Sequence, residues 1–130
     1  MRPNMKFTIE KKSCNFMPFL DVNITRLDKR FATSVFRKST FSGVYTNYKS
    51  FIADTYKHNL VFTLLYRSYM ICSSWDAFHD EVCNIKSFLK SNSFPTTIVD
   101  CAVKKFLNAI HESKPVIEKK DQNTKRVEII

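Results

Sequence analysis

Basic side chains are the residues whose chemistry stands out in this sequence. The chain has 130 residues and a formal net charge of +9. Residues 1–70 carry 12 Lys and Arg against 4 Asp and Glu, whereas residues 71–113 carry 4 against 5. Arg37 and Lys38 stand together where one apolar alternating stretch ends, and Asp21 lies inside the stretch before it. Cations gathered in this way are typical of proteins that bind polyanions, most often nucleic acid, although a solvated basic surface would have the same composition.

The residues that catalysis or metal binding would need are scattered along the sequence. Adjacent acidic residues occur at Asp80-Glu81, on a predicted helix, and the single glycine, Gly43, excludes a glycine-rich phosphate loop. The cysteines have neither C-x-x-C spacing nor a histidine at ligand spacing, which predicts reduced core thiols rather than a zinc site; they are Cys14, Cys72, Cys83 and Cys101. We therefore expect no metal, no cofactor and no catalysis by this chain.

The first third of the chain predicts strands. Apolar and polar residues alternate over residues 6–38, as in a small antiparallel sheet with one exposed face. The pattern predicts a strand at residues 7–10, a second at 19–25 with Asp21 inside it, and a third at 31–36. Val, Ile, Thr and Phe, which favour strands, dominate these segments.

Helical spacing replaces the alternation further along. A first helix places Val61, Leu64 and Leu65 on one stripe, a second begins at a capping box of Ser73 and Asp76, and a third begins near Pro95 with Thr97 and Asp100 as its cap. The expected buried faces of the last two helices are Phe78, Val82, Ile85 and Leu89, and Val99, Val103, Phe106 and Ile110. These two helices, joined by residues 90–95, have helix-turn-helix proportions. The sequence thus predicts an α+β fold: a small antiparallel β-meander, three helices and a disordered basic tail. No apolar stretch is long enough to cross a membrane.

Several short motifs, in this order, carry a family resemblance. They are "FTIE" at 7–10, "PFLDV" at 18–22, "TSVFRK" at 33–38 with Thr40 and Tyr45, and then "LLYRSYMICSS" and "FLKSNSFPTTIV". Over residues 5–112 the chain resembles the segment that follows the catalytic core in reverse transcriptases of Penelope-like retroelements. It departs from the family pattern at Ser39, where proline is common, and at residues 49–51. The Tyr-x-Asp-Asp motif of the catalytic palm does not occur in this sequence.

The resemblance implies a fragment of an RNA-directed DNA polymerase that holds nucleic acid but is not catalytic alone. It implies a β-hairpin of primer-grip type at 5–45, a three-helix thumb at 46–113 with a helix-turn-helix-like pair at 75–113, and a disordered tail at 114–130. The implied partners are an RNA or DNA primer–template duplex and the palm domain of the parent polymerase, with no membrane partner. The implied location is intracellular and nuclear.

The resemblance also implies roles for individual residues. Phosphates of the duplex backbone would be contacted by Arg37, Lys38, Lys49, Lys57 and Arg67. Asp21 would pair with a nearby Arg or Lys and order the hairpin. Tyr45 and Tyr48 would stack on sugars or bases, or else pack in the core.

Two other functions are compatible with the sequence. One is a stand-alone helix-turn-helix module that reads DNA with the helix pair at 75–113, although the third helix contributes only Lys104 and Lys105 against two acids. The other is a structural remnant that binds nothing, which would show no salt-sensitive retention on nucleic acid. The sequence leaves both open.

Overall fold

The computed structural model describes residues 5–9, 11 and 14–121, with side chains described through residue 112. It contains, in order, β1 (Phe16–Phe19), β2 (Val22–Arg26), β3 (Phe31–Val35), α1 (Asp54–Ile71), α2 (Trp75–Ser91) and α3 (Thr96–Asp121). The predicted α+β layout, a three-stranded antiparallel sheet followed by three helices, is confirmed.

The chain divides into two compact units. The sheet unit comprises Met1–Ser42 and Arg67–Cys83, and the helical unit comprises Gly43–Tyr66 and Asn84–Ile130. Helices α1 and α2 contribute residues to both units.

The strands begin and end at other residues than predicted. A two-residue turn, Leu20-Asp21, separates β1 from β2, so the prediction of one continuous strand with Asp21 inside it is wrong. Leu20 adopts φ +54°, a left-handed conformation that is rare for a residue other than glycine, so the sequence contains no sign of this turn. The strand predicted at 7–10 is also absent from the described residues 5–9, where Phe7 and Ile9 are exposed and have no apolar surface to cover them.

Each outer edge of the sheet has its own protection. At β3, the Thr33 N–H donates to Ser73 Oγ at 2.9 Å, and the Ser73 N–H donates to the Thr33 carbonyl at 3.0 Å. At the other edge, the protection of β1 is Pro18. The Arg26 N–H of β2 donates to the Asn15 carbonyl at 2.7 Å, which identifies the hydrogen-bonded pairs between β1 and β2. Because bonded and non-bonded pairs alternate along an antiparallel ladder, the backbone of Pro18 faces the open edge, where it has no N–H to offer.

The buried residues of the helices follow the predicted faces. In α2 all four predicted core residues are buried, and in α3 Val99, Phe106 and Ile110 are buried while Val103 is half-buried. The largest side chains that are fully buried all belong to the helical unit; they are Leu65, Ile85, Leu89 and Val61. Burial of each is worth about 1.5–3 kcal/mol, so this cluster is the main apolar stabilisation of that unit.

The helix ends differ slightly from the predicted ones. The N-cap of α2 is Ser74, whose Oγ accepts the Ala77 N–H at 3.3 Å, rather than Ser73, which is held by β3. Helix α3 begins at Thr96 and continues past Pro115 to Asp121. The predicted disordered tail started at residue 114, and its residues 122–130 lie outside the described part of the chain.

Candidate functional site

The turn between α2 and α3 has a defined hydrogen-bonded geometry. The Phe94 N–H donates to the Leu89 carbonyl and the Ser93 N–H donates to the Lys90 carbonyl, both at 3.0 Å. This is a Schellman motif, with Ser93 in the left-handed region at φ +66°. Phe94 is buried and the next residue is Pro95, so α2 ends sharply and α3 can begin in a new direction.

Asn92 ties the segment before α1 to this turn. Its buried Nδ2 donates to the carbonyls of Gly43 at 2.9 Å and Phe88 at 2.8 Å, and its Oδ1 accepts the Tyr45 N–H at 3.0 Å. Its backbone carbonyl also accepts the Tyr48 N–H at 3.0 Å. Sequence reasoning missed Asn92. The signal available was an amide residue inside a short interhelical turn, where polar side chains often bond the backbone.

Gly43 allows the close approach that this arrangement requires. It has φ +68°, and a Cβ built at this position would lie 3.0 Å from Cδ1 of Phe88. The single glycine of the chain is therefore placed where a side chain would be both strained and crowded.

The predicted binding residues of the helical unit differ in availability. Lys57 Nζ lies 3.1 Å from Asp54 Oδ1 and 4.9 Å from the centre of the Tyr48 ring, and the Lys57 side chain is largely covered. The Tyr48 ring packs against Phe94 at a centroid distance of 5.2 Å. Tyr45 is half-buried, whereas Lys49 is exposed. In this structure Lys57 and Tyr48 support the fold, and Lys49 is open to a ligand.

In the sheet unit, two of the three predicted cations are engaged by carboxylates. Arg37 forms a two-pronged pair with buried Glu81, with Nη1 2.7 Å from Oε2 and Nη2 bonded to Oε1, and its guanidinium lies 5.3 Å from the centre of the Phe41 ring. Arg67 Nη2 lies 2.6 Å from Asp21 Oδ2, and both side chains are exposed. Exposed pairs are worth at most about 1 kcal/mol and exchange readily, whereas a buried carboxylate holds its partner strongly.

Lys38, the third of these cations, is exposed. The structure thus leaves Lys38 and Lys49 accessible, leaves Arg67 in an exchangeable pair, and commits Arg37 and Lys57 to the fold. The phosphate-binding role of all five residues stays a prediction.

Helix α3 presents an exposed polar stripe. It consists of residues at spacings of four, three and four, namely Thr97, Cys101, Lys104 and Asn108. The acidic Asp100 is neutralised by α2, because Lys86 Nζ lies 2.7 Å from its Oδ1. The exposed surface of α3 is therefore more positive than the net charge of the α3 residues alone suggests.

The cysteines are free thiols, but their positions differ from the prediction. Cys14, Cys83 and Cys101 are exposed, so placing them in the core is wrong. Cys72 is half-buried, and this burial raises the pKa of its thiol, helped by the charge of Glu81 and opposed by the hydrogen bond with Val35 and the charge of Arg37. In the described part of the chain, His, Cys, Asp and Glu form no group of three or more that could hold a metal ion. None of the described helices is long and apolar enough to span a membrane.

Comparison with protein families gives a match to the helical part of the chain. Residues 44–104 match the family model of the animal helix-turn-helix domain, a range that contains α1, α2, the turn fixed by Asn92 and the first part of α3. The prediction of a helix-turn-helix-like segment is thereby confirmed, while the resemblance to a Penelope-like reverse transcriptase stays a prediction. Comparison with curated proteins gave no match, and neither did comparison with solved structures.

Proposed function

We propose that this chain binds double-stranded nucleic acid through its helix-turn-helix segment, residues 44–104. The observation that carries the proposal is the family match over this range. The turn geometry supports it, because the Schellman motif and the Asn92 hydrogen bonds hold α3 rigidly after α2. A rigid second helix is what helix-turn-helix proteins place against a duplex.

Contacts to phosphates supply the binding energy in this proposal. Lys104 lies on the exposed stripe of α3, and Lys49 is exposed in the segment before α1. Each phosphate neutralised by such a cation releases counterions from the duplex, which makes affinity fall as salt rises. Taken by itself, the sheet unit offers Lys38 and, after opening of its pair with Asp21, Arg67 for contacts of the same kind.

A finer assignment is that the chain is the post-palm and thumb segment of a Penelope-like reverse transcriptase. The motif order described above supports this assignment, as does the helix-turn-helix match to the region assigned to the thumb. In this role the chain binds the backbone phosphates of a primer–template without contacts that depend on base sequence, while catalysis belongs to the palm of the parent enzyme. No catalytic step is assigned to the chain, and its place of action is the nucleus.

The second candidate is a stand-alone DNA reader. The exposed stripe of α3 supports it, because Asn108, Thr97 and Lys104 are side-chain types that hydrogen-bond base edges in the major groove. The two candidates differ in sequence dependence. A reader discriminates by about 1–3 kcal/mol per contacted base pair, whereas a thumb is nearly indifferent to sequence.

The first experiment measures the salt dependence of binding. The full chain is titrated onto a short fluorescein-labelled duplex at several salt concentrations, with fluorescence anisotropy as the readout. Lys104→Ala is expected to weaken binding and to reduce the slope of log affinity against log salt by about 0.9, the value for one lost phosphate contact. The matched control is Lys29→Ala, which removes the same charge from an exposed turn outside the matched range. Salt-independent retention, or equal losses in the two variants, contradicts the proposal.

The second experiment separates the two candidates. Two duplexes of equal length and unrelated sequence are compared, each with the wild-type chain and with Asn108→Ala. Equal affinities, unchanged by the substitution, favour the thumb assignment. A difference of about tenfold or more between the duplexes, reduced by Asn108→Ala, favours the reader.

A further inference from the structure

A groove between α1 and α3 borders the exposed stripe of α3 and shares Thr97 with it, but contains none of the cations proposed to contact duplex phosphates. It has a volume of about 520 Å³ and lies within the helical unit. Its apolar lining includes Phe62 and Ile98, and its polar lining includes His58, Asn59, Thr97 and Lys105. Its volume and its apolar lining with a few polar groups are those of small-ligand sites in proteins.

Phe62 is a fixed and accessible aromatic surface in this groove. Its ring meets Phe106 edge to face, with a centroid distance of 5.3 Å and an interplanar angle of 78°. Phe106 is buried and anchors the ring, yet Phe62 itself remains 48% exposed. An aromatic ring held in this way can stack with a planar ligand at little cost in side-chain entropy.

The polar groups around this ring suit a nucleotide. The Asn59 amide offers both a donor and an acceptor, as the edge of a nucleobase does, and the Thr97 hydroxyl can act as either. Lys105 supplies a cation for a phosphate, and none of the described residues that line the groove is acidic. An aromatic platform beside cations is the usual arrangement for binding single-stranded nucleic acid.

We propose that this groove binds an unpaired nucleobase, stacked on Phe62, with Lys105 contacting the adjoining phosphate. This inference rests on the proposed nucleic-acid function and names the preferred ligand, a duplex with a single-stranded end. Helix α3 contributes to both parts of the surface: its outward stripe contains Lys104, and its groove side contains Ile98 and Lys105. One helix therefore serves the duplex and the unpaired strand.

The test compares three fluorescein-labelled ligands with the full chain. They are a blunt duplex, the same duplex with a short natural overhang, and the same duplex with an abasic overhang that keeps the phosphates but lacks the bases. The natural overhang is expected to raise affinity by roughly tenfold per stacked base. The abasic overhang is expected to bind nearly as weakly as the blunt end. Equal gains from both overhangs would show that phosphate charge is responsible and would overturn the proposal.

Variants locate the effect in the groove. Phe62→Leu keeps an apolar side chain but removes the ring, so it should abolish the preference for the natural overhang and leave blunt-duplex binding unchanged. Tyr66→Leu is the matched control, because Tyr66 is an exposed aromatic residue of the same helix that does not line the groove. Asn59→Asp places a negative charge at an exposed lining position and should weaken overhang binding even if Phe62→Leu fails to fold.

The outcomes distinguish this inference from the proposed function. Salt-sensitive binding of the blunt duplex with no gain from the natural overhang overturns the groove site and leaves the proposed function intact. An overhang preference that survives both Phe62→Leu and Asn59→Asp also overturns the site and leaves the groove to another occupant, such as a peptide. Failure of all three ligands to bind overturns both proposals.

Discussion

The buried amide of Asn92 offers the sharpest test of how the helix-turn-helix segment is held together. In Asn92→Ala three hydrogen bonds are lost, to the Gly43 and Phe88 carbonyls and from the Tyr45 N–H. The Phe88 carbonyl keeps the Asn92 backbone N–H as a donor at 3.1 Å, whereas the Gly43 bond is buried, and its loss leaves a desolvated acceptor. The Phe88 and Tyr45 bonds, at about 1 kcal/mol each, together with the desolvated Gly43 acceptor at about 1–3 kcal/mol, predict a loss of roughly 3–5 kcal/mol in the free energy of unfolding.

Urea denaturation followed by circular dichroism measures this loss. Asn108→Ala is the control, since this exposed asparagine of α3 is expected to change the free energy of unfolding by no more than about 0.5 kcal/mol. Amide hydrogen exchange adds a local readout. In Asn92→Ala the Tyr45 amide, which donates to the side chain, should lose more protection than the Tyr48 amide, which donates to the Asn92 backbone. A loss below about 1 kcal/mol, or equal loss of protection at both amides, would refute the reasoning.

Three further predictions concern single residues. Ser93→Gly should stabilise the chain by about 1 kcal/mol in urea denaturation, because glycine relieves the left-handed conformation at φ +66°; an unchanged midpoint would contradict this. Arg37→Ala should cost about 3 kcal/mol because Glu81 is left buried without its partner, and a second change, Glu81→Leu, should recover part of the loss; no recovery would argue against a buried charge as the cause. Cys72 should react with iodoacetamide more slowly at mildly alkaline pH than the exposed cysteines, as followed by mass spectrometry, and equal rates would contradict its burial. Burial raises the pKa of the Cys72 thiol in the folded chain above its value in the unfolded chain. The stability contributed by the protonated thiol is therefore complete below the unfolded pKa and is lost as pH rises through the folded pKa.

The sequence predicted the helices and their buried faces well. Phe78, Val82, Ile85 and Leu89 recur at spacings of four, three and four, and one face of a helix is the only regular structure that buries all of them together. The β1–β2 turn could not be predicted in this way. Apolar and polar residues alternate over residues 20–25 as they do in strands, and only the structure reveals the positive φ at Leu20.

The candidate site was predictable only in part. Two helices joined by a short turn can be read locally, and the helix-turn-helix pair was predicted from them. Gly43 and Tyr45, which bond the Asn92 side chain, and Glu81, which pairs with Arg37, lie more than 40 residues away from these residues in the chain. No local pattern encodes such contacts, so neither the anchoring of the turn nor the commitment of Arg37 to Glu81 could be foreseen. The same holds for the neutralisation of Asp100 by Lys86.

Pro18 has a consequence for how copies of this chain behave when they are crowded. Strand β1 is rich in exposed apolar side chains, with Phe16, Met17 and Phe19 all accessible, and such a segment is a natural seed for fibrils. Growth of a fibril requires each new strand to find an uninterrupted row of donors, and the proline breaks that row at its centre. Pro18→Val would supply the missing N–H donor, and we expect it to make this edge of the sheet more prone to pair with a strand of another copy.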